Sequence, residues 1–342
     1  MIAVELSPRE GSAWDEYVEA RGGNCYHARA WQSAAERAYR LRAPFLVARA
    51  GGAICGALPL FIVPKLPRRY ATTGMFGAYA PLLADSTDAA RCLVDGAIEI
   101  ARAAGATHLT VKLLADEPPR EGFVRSDAYA IATLPLAPTA DEMWKRVGAK
   151  IRNMVRKGEK SSLAPRAGRD QLDACYDVLA DNYHRLGTPI YGRRFVRALV
   201  DALGPRARVF TLAHDGRVVA GAITIRWGDT LAVPFASARP SALALSPNHL
   251  LYWEIVKAAI LDGARVLDFG RSKRDSGPLA FKLHWGAQLQ AQPLFHYALA
   301  GAPPSADGAL SPAESLVNRL WPKLPRAVVD LVGPILCRRW LV

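Results

Sequence analysis

The chain has 342 residues, with 44 lysines and arginines against 31 aspartates and glutamates, and a net charge of +13 at pH 7. A hydrophobic fraction of 51% supplies buried cores and excludes general disorder, while scattered glycine and proline exclude a collagen-like or low-complexity chain. At roughly 100–200 residues per domain the length predicts two domains. The positive balance predicts a polyanionic partner, which composition leaves open among RNA, a phosphorylated sugar and an anionic membrane face. Cys25, Cys55, Cys92, Cys175 and Cys337 are odd in number, widely spaced and without C-x-x-C. They predict free thiols in a reducing, cytoplasmic setting, not a disulfide framework or a zinc knuckle. The first residues have no basic start followed by an apolar run and do not read as a signal peptide.

In chain order, the first clear element is a hairpin over 48–60, ARAGGAICGALPL. It returns 165 residues later as AHDGRVVAGAITI over 213–225, with Ala48/Ala213, Gly51/Gly216, Gly56/Gly221 and Ala57/Ala222 identical. Two-residue turns are expected at Gly51-Gly52 and at Gly216-Arg217. After the first hairpin come an apolar segment (71–83), a helical pattern (89–104) and the strand HLTVKL. After the second come an apolar segment (230–238), a helical pattern (248–261) and the strand RVLDFG. The recurrence predicts two copies of one α/β domain, over 1–135 and 165–300, each a mixed sheet with helices packed on it.

Between the copies, 136–164 reads as a basic interdomain helix. Thr139 and Glu142 have capping-box spacing, and Trp144, Val147, Ile151 and Met154 mark one apolar face. Residues 145–169 carry nine bases and one acid. Arg152, Arg156 and Lys157 are the candidate polyanion contacts, the alternative being a solvated linker. The tail, 301–342, is basic and amphipathic and is broken at Pro322, Pro325 and Pro334. It is too interrupted and too charged to span a bilayer. It either meets an anionic membrane through Leu320, Trp321, Val328, Leu336 and Trp340, or packs on its own domain.

No P-loop, dinucleotide fingerprint, zinc-protease or nucleophile-elbow motif is present, and the seven histidines are dispersed. No metal site is expected. The densest stretch is 248–286, where an apolar strand ends in Asp268-Phe-Gly-Arg271-Ser272 and bases crowd the following loop. Ligands gather at the carboxyl ends of strands in α/β sheets, and such a loop suits a phosphate or a developing oxyanion. The alternative is a solvated basic loop.

The pattern N-x-L-L-Y-W…G…L-D-F-G-R-S…G…F-K…W-G resembles FemAB/FemX-type transferases of the GNAT superfamily. Asn182-Tyr-His-Arg-Leu-Gly187-Thr188-Pro189, Pro234-Phe-Ala-Ser237 and the closing L-P…V-G-P…R strengthen the likeness, which points to the subgroup associated with exosortase and exopolysaccharide systems. The resemblance is dense over about 140–300 and thinner before it. It implies two tandem GNAT-like domains (the acyl-CoA N-acyltransferase fold). It also implies aminoacyl transfer from aminoacyl-tRNA to an amine of a phosphorylated or lipid-linked cell-envelope precursor, with no resident cofactor. Lys282 matches the family's functional lysine and is expected to stabilise an oxyanion or the leaving hydroxyl. Asp268 positions the amine or takes its proton, or is a buried structural carboxylate. Arg271, Ser272, Tyr191, His184, Asn248 and Ser237 are the candidate substrate contacts, with Asn248 also read as a helix cap and Cys175 as an inert buried thiol. Two further functions stay open: an acyl-CoA-dependent N-acyltransferase, and a non-catalytic assembly protein. The segment 239–247 has no glycine to cradle a CoA pyrophosphate.

Overall fold

The computed structural model describes residues 2–8, 12–65, 68–75, 78–114, 118, 120–301 and 312–340. Residues 302–311 and the Trp340 side chain lie outside the described parts. The chain begins with β1 (Ile2–Leu6), α1 (Ala13–Ala20), α2 (Arg29–Tyr39), β2 (Phe45–Ala50) and β3 (Ala53–Pro59). A second hairpin follows, β4 (Phe61–Lys65) and β5 (Arg68–Thr72), then β6 (Leu83–Ala84), α3 (Thr87–Ala103), β7 (Ala106–Lys112) and β8 (Phe123–Ser126). Next come β9 (Tyr129–Pro135), α4 (Ala140–Arg146), α5 (Ala149–Lys160), β10 (Ala164–Ala167), α6 (Leu172–Arg185) and α7 (Arg193–Leu203). The repeated core is β11 (Ala207–His214), β12 (Arg217–Trp227), β13 (Thr230–Ala238), α8 (Pro247–Leu261) and β14 (Val266–Lys273). It is followed by α9 (Gly277–His284), β15 (Gln288–Ala291), β16 (Leu294–Ala298), α10 (Pro312–Leu320) and α11 (Arg326–Trp340).

Both expected hairpins form. Gly51 and Gly52 sit at φ 58° and 87°, and Asp215 and Gly216 at φ 49° and 75°. Positive φ at both central positions matches the twist of the flanking strands. The second turn is therefore Asp215-Gly216, one residue earlier than read, because His214 pairs with Arg217. In each copy the hairpin leads to a parallel pair closed by a crossover helix: β5 with β7 across α3, and β13 with β14 across α8.

The chain divides into two compact units, the described residues of 1–130, 291–311 and 335–342 in one and of 131–290 and 312–334 in the other. Sheets β1-β2-β3-β6 and β4-β5-β7-β16-β8 belong to the first, and β10-β11-β12-β13-β14-β9-β15 to the second. These boundaries correct the expected ones in three places. The stretch 136–164 is not an interdomain helix. Met143, Val147, Ile151 and Val155 join the second unit's core beside α8 residues, and a Cβ on Gly158 would stand 2.9 Å from the Cβ of Leu250. An apolar helix face needs a partner, and α8, apolar on nearly all sides, supplies it. Strand β16, expected in the second copy, fills the first unit's sheet between β7 and β8, with Phe295 opposite both Val111 and Arg125. Finally, the tail over 312–334 is part of the second unit.

Candidate active site

In the second unit β13 and β14 pair in parallel only over Thr230–Ala232 and Val266–Asp268. Beyond that point the strands part. The chain leaving β13 follows β12 instead, with the Arg239 N–H donating to the Val219 carbonyl at 2.8 Å. Strand β14 bends just past the divergence. Gly270 sits at φ 75°, a conformation glycine adopts without steric cost. Asp268, 2% exposed, fixes the bend by accepting the Gly270 N–H on Oδ1 at 2.7 Å.

The bend turns two carbonyls toward α9. That helix is capped by Ser276, whose Oγ accepts the Leu279 N–H at 3.3 Å and donates to the Lys273 carbonyl at 2.6 Å. Lys282 on α9 donates from Nζ to the Gly270 carbonyl at 2.9 Å and the Arg271 carbonyl at 3.3 Å. Its side chain is buried, and loss of hydration pushes its pKa down to about 8, with Asp268 opposing the shift. An ammonium has three donors, so two carbonyls leave it able to serve one more acceptor. Near neutral pH it is mostly charged yet within reach of deprotonation. That suits donation to a developing oxyanion or to a leaving alkoxide.

Sequence reasoning missed His249, which neighbours the weighed Asn248. Its ring lies edge-on to Phe281 at 5.3 Å, and Phe281 immediately precedes Lys282. Tyr252 extends the aromatic cluster to Phe269, Phe281 and Trp285, at 5.2, 5.4 and 6.3 Å. Burial first, then the charges of His284 and Lys150, lower the His249 pKa, so the half-buried ring is neutral at pH 7 and can accept a proton. The available signal was its place in N-H-L-L-Y-W.

The other candidates fall into separate groups. Lys282, Asp268 and Arg271 come together at the bend, with Ser272 buried next in β14. Tyr191 shares a hydroxyl–hydroxyl bond with Tyr183 at 3.0 Å and packs edge-on against Phe235 at 5.1 Å. Ser237 accepts from Asn182 Nδ2 at 2.9 Å. Phe235 and Ser237 both lie on the part of β13 that has left β14. Asn248 is not a cap: Ser246, at φ 60°, holds the N-cap position of α8 and Pro247 its first turn. His184 is engaged by the tail, its Nε2 lying 3.1 Å from the Trp321 carbonyl. Gly187 serves the same docking at φ 76°, where a Cβ would run into the Asn318 carbonyl oxygen. Asp181 pairs with both Arg239 and Arg326. Trp321 is thus buried on its own unit and unavailable to a membrane.

Among the polyanion candidates, Arg152 donates to the Val147 carbonyl at the end of α4, and Arg156 lies over the Trp144 ring at 5.5 Å. Lys157 is exposed, as are Lys150 and Lys160 on the same helix. Cys175 is fully buried against Gly221 and its thiol is pushed up to about 12 by burial, as expected of an inert thiol.

The first unit treats the matching place differently. Past the paired residues of β5 and β7, the Thr73 N–H donates to the Thr110 carbonyl at 3.1 Å and the Lys112 N–H to Thr73 Oγ1 at 3.0 Å. Buried Lys112 then donates from Nζ to the carbonyls of Gly74 at 2.7 Å and Ala78 at 2.5 Å. Asn24 and His27 pin the same segment through the Tyr79 and Pro81 carbonyls, at 2.8 and 2.7 Å. Here the chain itself bridges the parallel strands.

Residues 145–283 match the acetyltransferase (GNAT) domain family, a span that begins in α4 and ends one residue past Lys282. A search of curated proteins finds no match. The fold is similar to the crystal structure of FemX, at 17% identity, with a TM-score of 0.69 over 87% of this chain and 97% of that one. It is also similar to a tandem GNAT protein from the clavulanic acid biosynthesis pathway (14% identity, TM-score 0.57, 88% and 100% covered). The C-terminal domain of a protein assigned as a lysylphosphatidylglycerol synthetase from Agrobacterium fabrum is a third (15%, 0.58, 91% and 97%). The expected architecture, two GNAT-type units in tandem within a FemAB-like α/β fold, is the one observed.

Proposed function

We propose that this GNAT-type chain is an acyltransferase whose second unit moves an aminoacyl group from aminoacyl-tRNA to an amine of a phosphorylated or lipid-linked cell-envelope precursor. The observation that carries the reading is Lys282, a buried, partly desolvated ammonium held on two carbonyls of the bent β14 where the parallel strands part. A neutral acceptor amine attacks the ester carbonyl, forming a C–N bond and a tetrahedral oxyanion that Lys282 stabilises. Collapse breaks the ester C–O bond; the alkoxide of the tRNA ribose takes a proton, and the amine loses one. His249 receives that proton, and the Lys282 ammonium supplies the one the alkoxide takes; exchange with solvent resets both groups. An activated ester needs little more than this, since proximity alone is worth about 7–11 kcal/mol in favourable cases.

The donor reading rests on the entry to α8. A 3-10 turn occupies Pro240–Leu245, and the N–H groups of Ala242 and Ser246 already donate to the Arg239 and Leu243 carbonyls. Pro247 then has no N–H to offer. A CoA pyrophosphate seeks free amides at a helix start, and this start has few. The exposed lysines of α5, Lys150, Lys157 and Lys160, supply charge for a nucleic-acid backbone. The first unit, bridged by its own chain at the matching place, is assigned no acyl transfer.

The test incubates purified protein and an envelope extract with charged tRNA bearing labelled amino acids, or with labelled acyl-CoA. Label from tRNA appearing in an alkali-stable amide supports the proposal. Label from acyl-CoA alone assigns the alternative donor, and label from neither assigns a non-catalytic role.

A further inference from the structure

We propose that the face formed by α10 and α11 docks the protein on an anionic bilayer surface, with the helices lying in the plane of the headgroups. The tail does two things at once. Its inner side is fastened to the second unit: Trp321 is buried, a Cβ on Gly333 would stand 3.4 Å from the Trp321 ring, and Arg326 is held by Asp181 and, at 2.7 Å, by Asp330. Its outer side is left apolar. Leu316 is 53% exposed, Leu320 45%, Val328 41% and Leu331 74%. Val328 and Leu331 are three residues apart, so they share one face of α11, while Val329 and Gly333 turn inward. Fastening matters, because the stripe is presented ready-made and no helix has to fold on arrival.

Charge chooses the occupant. Cations accompany the stripe, Arg319 and Lys323 being exposed on the same segment. The acids of the segment are Glu314, at the start of α10, and Asp330, which is joined to Arg326, itself turned toward Asp181. The whole chain carries +13. A second copy would bring like-charged stripes together, whereas an anionic lipid surface attracts them and takes up the leucines. Among the described residues no helix is long and apolar enough to cross a membrane, so the contact is a surface one.

The experiment sediments full-length protein with large vesicles of phosphatidylcholine alone or of phosphatidylcholine and phosphatidylglycerol in equal parts, at 0.1 and 0.5 M salt. Light scattering gives the oligomeric state. The expected result is binding at least tenfold tighter to the anionic vesicles and weaker at high salt. Leu316→Asp with Leu331→Asp should reduce that binding at least tenfold without lowering the melting temperature. Arg319→Gln with Lys323→Gln, which leaves the apolar stripe intact, should remove most of the preference for phosphatidylglycerol. No binding, binding indifferent to both double variants, or a wild-type dimer that Leu331→Asp makes monomeric would each overturn the proposal, the last by seating a second copy on the stripe.

Discussion

Replacing Lys282 with methionine separates catalysis from folding. The ammonium's pKa falls from its ordinary 10.5 to about 8 on burial. At ~1.4 kcal/mol per unit, keeping it charged in the folded state costs about 3 kcal/mol below pH 8. Methionine removes that cost but leaves the Gly270 and Arg271 carbonyls without their donor, at ~1–3 kcal/mol each. The two effects oppose and are similar in size, so the melting temperature at pH 7 should move by no more than about 5 °C. The pH dependence is the sharper signature. Between pH 8 and 10.5 the unfolded chain holds more of this proton than the folded one, so the wild type gains stability as pH rises through that window. The gain from pH 7 to 9 is about 1 kcal/mol relative to the methionine variant, which has no such group. Cys175, Tyr17 and Tyr252, whose pKa values burial raises, act oppositely at higher pH but are common to both proteins and cancel in the difference. Urea denaturation at pH 7, 8 and 9 measures it, and turnover should fall a hundredfold or more, about 3 kcal/mol of barrier. A pH-independent difference, with turnover unchanged, refutes the reasoning.

Other outcomes are expected from the same contacts. Lys112→Met strands the Gly74 and Ala78 carbonyls but also removes a buried ammonium, so by the balance argued for Lys282 its net change in urea should stay within about 3 kcal/mol, while the folded protein keeps its turnover number; a large loss of turnover would give the first unit a catalytic part. Gly221→Ala places a Cβ 2.8 Å from Cys175 Sγ and 3.1 Å from its Cα, and should cost about 1–3 kcal/mol by calorimetry. Lys150, Lys157 and Lys160 all changed to Glu should weaken tRNA binding and flatten its salt dependence in filter-binding assays. Arg152→Glu should instead lower the melting temperature, since that side chain braces the end of α4.

The architecture was legible where local chemistry and tertiary structure agree. Both hairpins announce themselves through residues able to adopt positive φ, the crossover helix α3 through apolar periodicity, and α8 through a long apolar run. The domain boundaries were not, because nothing in Leu294–Ala298 states which sheet will accept it; its apolar alternation fits β7 and β8 only once those strands exist. The basic helix was misplaced for a related reason: its charge is local, but the partner for its apolar face, α8, lies some hundred residues on. Lys282 was legible as a motif. Its depressed pKa was not, since that depends on burial and on carbonyls turned by the bend at Gly270. His184 shows the converse, a motif residue whose contact is the Trp321 carbonyl of the tail.

The most direct test of the account follows transfer of a labelled amino acid from charged tRNA into amide linkage under single-turnover conditions, in wild type, Lys282→Met and Lys112→Met. The account predicts transfer by the wild type and by folded Lys112→Met at similar rates, and a rate at least a hundredfold lower for Lys282→Met. Equal rates in all three, or a loss confined to Lys112→Met, would contradict the assignment of the chemistry to the bend of β14.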